Sequence, residues 1–514
     1  MPRIRRLLIA NRGEIAVRVI RACHELGMEA VAVFSEADAS AVHVRRADLA
    51  VPVGATDPAD SYLRVESLVD AARRTGCQAL HPGYGFLSEQ ATLARACAAA
   101  GIAFVGPDPE TLELLGDKLA ARRLARDAGV PVVPGTLAAA PVERADEVEG
   151  IAAAARELGF PLLVKAAAGG GGRGMREVAN LRQLPEALAA ASREAAAAFG
   201  DGSVYLERVV RPARHVEVQL LGDGHTVVAL GERECSIQRR HQKLLEEAPA
   251  PGLAMEARTT LHGYALALGR AAGLRSASTA EFLLDAEGRS WFLEVNARLQ
   301  VEHGVTELVT GVDLVHEQLR IAAGGTISPA ALVAAERATA PNGHAIEVRL
   351  TAEDPADSFR PQPGRIGRWS EPGGPGIRVD SGVESGSTVP GAYDSLMAKL
   401  LAWGPERSVA IARLRRALDE LEVSGIQTCL PFLRHVAADP RFAAGPVDTG
   451  YVERSWDPGP PRAQAVEDAS LAAALLTWSG AESTSEPYIG STREGGSAPS
   501  WGREGRREAT ERWP

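Results

Sequence analysis

Between residues 5 and 110, short strand-type runs alternate with runs whose apolar residues recur at helical spacing. RRLLIA reads as a strand that stops at NRGE, residues 11–14. EIAVRVIRACHELG carries its apolar residues on one helical face and meets a stop at Gly27. EAVAVF, QALHPGYG and IAFVG read as further strands, with helices in YLRVESLVDAARRTG and LARACAAAG. Alternation of this kind confines the segment to a doubly wound parallel sheet with helices on both faces. Ligands of such sheets sit at the carboxyl ends of the strands, so NRGE and HPGYGF are candidate binding loops.

Further on the pattern changes. KLAARRLARDAG and ADEVEGIAAAARELG read as helices on either side of a Pro-rich turn, followed by FPLLVKAAAGGGGRGM. Residues 204–310 read mostly as strands, 345–400 as short strands with Pro/Gly turns, and 406–436 as helix. The fold class is α/β followed by α+β. Past about residue 455, Gly, Ser, Pro, Glu and Arg dominate without a sustained period, which predicts a disordered tail. Trp456, Trp478, Trp501 and Trp513 lie there as candidate partner anchors.

Charge and cysteine content narrow the function. With 66 acidic and 56 basic residues the net charge is −10, which leaves no basic excess for a long nucleic-acid track. Cys23, Cys77, Cys97, Cys235 and Cys429 stand far apart with no C-x-x-C, against a disulfide framework or zinc cluster and in keeping with a reducing cytoplasm. The apolar stretch Leu7–Ala10 is too short for a signal peptide. No run approaches the ~18 apolar residues of a membrane span.

Four segments carry chemistry. In PLLVKAAAGGGGRGM, four glycines follow a strand and Lys165; their backbone can approach a phosphate, or the segment is a plain hairpin loop. No G-K-[ST] follows, so it is not a P-loop. WFLEVNARLQVEH alternates, and read as one extended strand it lines up Glu294, Asn296, Arg298, Gln300 and Glu302 on one face. Glu294 and Asn296 suit Mg²⁺ held with phosphates, Arg298 can clamp an oxyanion, and Glu302 can act as its base. ERECSIQRRHQKLLEEAPAPG packs Arg239, Arg240, His241 and Lys243 together: an anion pocket, a nucleic-acid patch or a solvated basic turn. Glu281, in STAEFLLD, lies one hairpin before Glu294, so adjacent strands can bring both carboxylates to one metal. Cys235 is read as a packing residue, because nothing nearby demands covalent chemistry.

Taken in order, LIANRGEIAVRVIRACHELG, ALHPGYGFLSE, GDKLAAR, VKAAAGGGGRGM, RHVEVQ, ERECSIQRRHQKLLEEAPAP, EFLL, FLEVNARLQVEH, GVDLV, GHAIEVRL and YDSLMAKLLAWG closely resemble the biotin carboxylase family, from about residue 3 to 452. These are the ATP-grasp subunits of acetyl-CoA, propionyl-CoA and related carboxylases. The resemblance implies an N-terminal domain (1–117), an ATP-grasp domain (118–325, lid about 131–206), a C-terminal domain (326–452) and a tail (453–514). It implies that Lys118, Lys165, Gly171, Gly172, Glu207, Arg208, Val209, Val210, His215, Gln238, His241, Glu281 and Glu294 hold ATP. Glu281, Glu294 and Asn296 would hold Mg²⁺ or Mn²⁺, and Lys243, Arg298, Gln300 and Val301 bicarbonate. The catalytic set would be Lys243, Arg298, Glu302 and Arg349, with Glu302 as base and Arg349 stabilising the biotin enolate.

No A-M-K-M motif occurs and the tail has no lysine, so biotin is expected on a separate carrier protein, with separate carboxyltransferase subunits. The family usually forms homodimers; neither nucleic acid nor membrane is expected as a partner. Alternatives are another ATP-grasp ligase joining a carboxylate to an amine, or a non-catalytic regulatory subunit. The chain departs from the family pattern at Ala167 and Ala168, where Ser-Gly is usual, and at Ala297, Gly304 and Cys429. The loop change bears on lid closure.

Overall fold

The computed structural model describes residues 4–136, 138–139, 145–167 and 175–478. The chain divides into two units, through Pro458 and from Gly459 onward.

The first unit opens with a five-stranded parallel sheet in the order Leu49–Gly54, Glu29–Ser35, Arg6–Ile9, Ala79–His81, Ala103–Phe104. Strand periodicity splits its core. Leu7 and Ile9 pack with Ile15 and Val19 of helix Gly13–Glu25, whereas Leu8 packs with Leu68 and Ala71 of helix Val65–Arg74. Sequence reading passed over the edge strand Leu49–Gly54, where Pro52 breaks the apolar run; an edge tolerates the missing N–H. The loops at the two candidate strand ends touch: Asn11 Nδ2 donates to the carbonyls of Pro82 (2.7 Å) and Tyr84 (2.8 Å). A Cβ on Gly83 would sit 2.7 Å from that amide nitrogen, and Gly83 has φ +65°, so only glycine fits.

An eight-stranded antiparallel sheet forms the centre, in the order Ser290–Asn296, Arg275–Leu284, Arg214–Asp223, Val227–Arg239, Gln242–Ala248, His344–Thr351, Leu396–Gly404, Ile377–Ser381. It runs without interruption across the expected boundary at 325/326, because Gln242–Ala248 pairs with His344–Thr351. A smaller antiparallel sheet, Arg176–Val178, Leu162–Ala166 and Val204–Arg208, packs against helices Ala145–Leu158 and Leu184–Phe199.

Three expectations need correction. Residues 204–310 are not mostly strand: helix Met255–Ala271 buries Leu261, Ala265 and Leu268, and helix His303–Thr310 follows the site. The alternating row from 291 to 303 stays a strand only through Asn296. Residues 459–478 are not disordered; Gly459–Trp478 is a helix, consistent with its many alanines and leucines. Trp456 is no tail anchor, since it packs edge-on against Phe432 and donates from Nε1 to the Pro355 carbonyl (2.9 Å). Trp501, Trp513 and the rest of the tail from 479 lie outside the described residues. No described helix is long and apolar enough to cross a membrane, and all five cysteines are free and buried.

Candidate active site

The central sheet gathers buried charge where four of its strands meet the start of helix His303–Thr310. Cross-strand register does the gathering. Glu281 lies directly opposite Glu294 on one side and Glu217 on the other. The Lys243 ammonium bonds three carboxylates at once: Glu217, Glu281 (2.9 Å) and Glu302 (2.6 Å). Behind Glu217 stands Arg233, fully buried, which also donates to Gln219, Thr279 and Thr306. Burial alone would push Glu302 up, but Lys243, Arg349 and Arg233 together hold it well below the usual carboxylate range. Glu302 is therefore an ionised carboxylate with no solvent access, locked between two cations.

Arg298 and Arg349 flank this centre. Arg298 is fixed by Glu89 (3.1 Å), the Gln300 amide oxygen (3.0 Å) and the Asn296 amide oxygen (3.1 Å). Arg349 donates from Nε to Glu246 (2.7 Å) and from Nη2 to Glu302 (2.9 Å). Asn296 and Gln300 both donate to Glu281, at 2.9 and 3.1 Å. So the row expected on one strand face is brought together, but by a different route. Beyond Asn296 the chain is irregular, and Glu302 sits at the N-cap of the following helix. Val301 contributes its carbonyl, which accepts from Lys399 Nζ (2.7 Å).

A second group lies toward the smaller sheet. Lys165 pairs with Glu207 (2.8 Å), which Arg122 also holds. Lys118 opens helix Lys118–Asp127, capped by Asp117. Burial and the like charge of Lys165 lower Lys118; burial, Lys165 and Arg211 lower His241. Lys165 thus depresses both Lys118 and His241, and an anion between these cations would relieve the repulsion. Of the other expected nucleotide residues, Gln238 is buried opposite Lys243, Arg208 is exposed, and Val209 and Val210 are half-buried. Gly171, Gly172 and Ala168 lie outside the described residues.

The expected metal ligands Glu281, Glu294 and Asn296 lie at neighbouring register positions of one strand pair. The space between Glu217, Glu281 and Glu302 is already filled by Lys243. Glu294 stands directly opposite Glu281 on the neighbouring strand. Among the described residues it has no ion-pair partner, and burial and then Glu281 push its carboxyl up. Two opposed carboxylates plus an amide oxygen are hard ligands, suited to a divalent cation of the Mg²⁺ type.

Sequence reading missed Glu89, Glu217, Arg233, Glu246 and Tyr84, whose hydroxyl donates to Glu14. Glu217 was within reach: HVEVQ alternates, which puts His215, Glu217 and Gln219 on one face. His215 Nε2 lies 2.9 Å from Glu281. Cys235 is fully buried at the centre, and burial pushes its thiol far up, so packing is its role.

This geometry agrees with comparisons to known proteins. Residues 3–112 match the biotin carboxylase N-terminal domain, 117–329 the ATP-binding domain of carbamoyl-phosphate synthase L chain, and 347–454 the biotin carboxylase C-terminal domain. A biotin carboxylase of Nostoc is 46% identical over 449 residues, 87% of this chain and 98% of that one. The chain belongs to the biotin carboxylase family. It is an ATP-grasp ligase. The biotin-dependent acyl-coenzyme A carboxylase alpha3 subunit of Mycobacterium leprae is 46% identical, over 88% of this chain and 75% of its own. Among solved structures, the biotin carboxylase domain dimer of Hydrogenobacter thermophilus 2-oxoglutarate carboxylase, bound to MgADP, ADP and bicarbonate, aligns with TM-score 0.83. It is 44% identical and covers 88% of this chain and 98% of that chain.

Proposed function

We propose that this chain carboxylates biotin on a separate carrier protein, using ATP and bicarbonate, as the first half-reaction of an acyl-CoA carboxylase. The observation that carries the reading is Glu302, a fully buried carboxylate held ionised by Lys243 and Arg349 beside the clamp Arg298. Bicarbonate binds to Lys243, Arg298, Gln300 and the Val301 backbone. Its charge takes a share of Lys243, which raises the basicity of Glu302. Glu302 removes the bicarbonate proton, and the freed oxygen attacks the γ-phosphorus of ATP. The bond to the β-phosphate oxygen breaks, leaving ADP and carboxyphosphate. Carboxyphosphate splits to CO₂ and phosphate, the phosphate takes the ureido proton of biotin, and the nitrogen attacks CO₂. Arg349 balances the charge on the biotin oxygen.

Lys118, Lys165, His215, Gln238 and His241 hold the nucleotide with the backbone of 207–210, and the loop 169–174 covers its phosphates. Glu207 acts mainly by holding Lys165 in place. Glu281, Glu294 and Asn296 would hold a divalent ion, which would supply positive charge toward the transferring phosphoryl oxygens. The domains divide at 117 and 325, with the C-terminal domain ending near 452. Relatives act in carboxylases of different acceptors, an acyl-CoA in one and 2-oxoglutarate in another. The acyl-CoA reading follows the resemblance of the sequence motifs. A homodimer in the cytoplasm, working with carrier and carboxyltransferase subunits, completes the proposal.

The test is bicarbonate-dependent ADP release stimulated by free biotin. Glu302→Gln is expected to lower kcat by about 10²–10⁴-fold, the usual worth of a general base, with nucleotide affinity unchanged. Stimulation by an amine in place of biotin would transfer the chain to the carboxylate–amine ligases.

A further inference from the structure

Two glutamates beside the site have no assigned task. Glu246 and Glu347 stand directly opposite each other on neighbouring strands, and both are fully buried. Directly opposed residues have Cβ atoms roughly 5 Å apart, so two such side chains on one face meet. Their bonding is unequal. Glu246 Oε1 accepts from Arg349, while Glu246 Oε2 and both oxygens of Glu347 are buried without a hydrogen-bond partner. Glu347 also points at the start of helix His303–Thr310: a Cβ on Gly304 would lie 3.2 Å from its Oε2.

Every element packed around this pair contributes charge. The strand of Glu246 also brings Lys243, and the strand of Glu347 brings Arg349; both cations act on Glu246. Leu396–Gly404 brings Lys399, whose charge opposes but does not outweigh the rise that burial gives Glu347; its ammonium bonds the Val301 carbonyl (2.7 Å) and lies 3.5 Å from Glu14. The helix start brings ionised Glu302 and His303, which burial keeps neutral, down to about 3. Two ionised carboxylates face to face here would leave three oxygens unsatisfied. One proton between them satisfies the hydroxyl and Glu246 Oε2 together.

We propose that Glu347 is a positioning residue for the biotin step: it stays a neutral carboxylic acid, donates its proton to Glu246 Oε2, and so keeps Glu246 the ionised anchor of Arg349. This rests on the reading of Arg349 as the partner of biotin. Glu302 loses its charge when it takes the bicarbonate proton, so its hold on Arg349 weakens during turnover. Glu246 is the constant hold, and it stays one only while Glu347 carries no charge. Gly304, with no Cβ, leaves the room in which the Glu347 carboxyl sits.

Infrared spectroscopy of the resting protein at neutral pH tests the proton directly. One carboxylic-acid carbonyl component is expected in the difference spectrum of the parent minus Glu347→Gln; a difference spectrum without it overturns the proposal. Kinetics test the role. In Glu347→Gln the biotin KM stays within about twofold as the pH is raised by about two units, whereas in the parent it climbs as the shared proton is lost. In Glu246→Gln the biotin KM rises by about tenfold with the ATP KM unchanged, the worth of one charge-assisted bond. A Glu347→Gln enzyme with the parent's alkaline rise, or with the full defect of Glu246→Gln at neutral pH, refutes the assignment. The infrared result needs no turnover, so it still reads Glu347 if biotin proves not to be the substrate.

Discussion

Replacing Arg233 by methionine removes a guanidinium that has no solvent access and keeps most of its length. Arg233 donates to Glu217, to the Gln219 amide oxygen (2.7 Å), to Thr306 (2.9 Å) and to Thr279 (3.0 Å). Without it, Glu217 remains fully buried with Lys243 as its single cation. Removing one partner of a buried ion pair costs about 3–5 kcal/mol. The Gln219 oxygen loses its donor for a further ~1 kcal/mol, while the two hydroxyls can rotate to other acceptors. Arg233→Met should therefore lose about 4–6 kcal/mol, read as a lower urea midpoint with the slope unchanged. Glu217→Gln placed on top should cost less than its own loss alone, because no buried charge is then stranded; a coupling of about 2 kcal/mol is expected. A loss below ~1 kcal/mol for Arg233→Met, or strict additivity of the pair, would show that the Arg233–Glu217 contact does not support the site.

Further outcomes follow from the same geometry. Glu89 holds Arg298 from a partly exposed position, so Glu89→Gln should weaken the clamp by only about 1 kcal/mol, a roughly fivefold rise in bicarbonate KM at constant ATP KM. Lys165→Met should weaken nucleotide binding by tenfold or more, measured by calorimetry, since it removes one of the cations that face Lys118 and His241. Acid should unfold the protein through Glu307. Burial would raise its carboxyl, but the guanidinium groups of Arg18 and Arg378 bring it down to about 2 from 4.5. A depressed carboxyl stabilises the fold above its ordinary value and loses that contribution as pH falls between the two, here about 3 kcal/mol. Arg18→Met should move the acid transition, followed by circular dichroism, to higher pH.

Much of the site was legible because its chemistry is local. The alternation in WFLEVNARLQVEH and the charge cluster around Lys243 are visible within short windows, and the carboxylate pair Glu281 and Glu294 needs only one hairpin. What failed were inferences that extended a period too far. Alternation continues past Asn296 in the sequence, yet the backbone turns there so that Glu302 can cap a helix. The helix Met255–Ala271 escapes a reading set by its strand-rich surroundings, and Gly459–Trp478 one set by the Gly/Ser/Pro-rich stretch that follows it.

The sequence by itself determined which kinds of side chain are present and which strands and helices carry them, since hydrophobic period and turn residues act over a few positions. Only the tertiary structure decided who meets whom. Arg233 reaches Thr306 across 73 residues, Arg298 reaches Glu89 across 209, and Glu246 meets Glu347 because two strands about 100 residues apart pair in one register. Such encounters depend on the closure of long loops and on sheet order, which no local window contains.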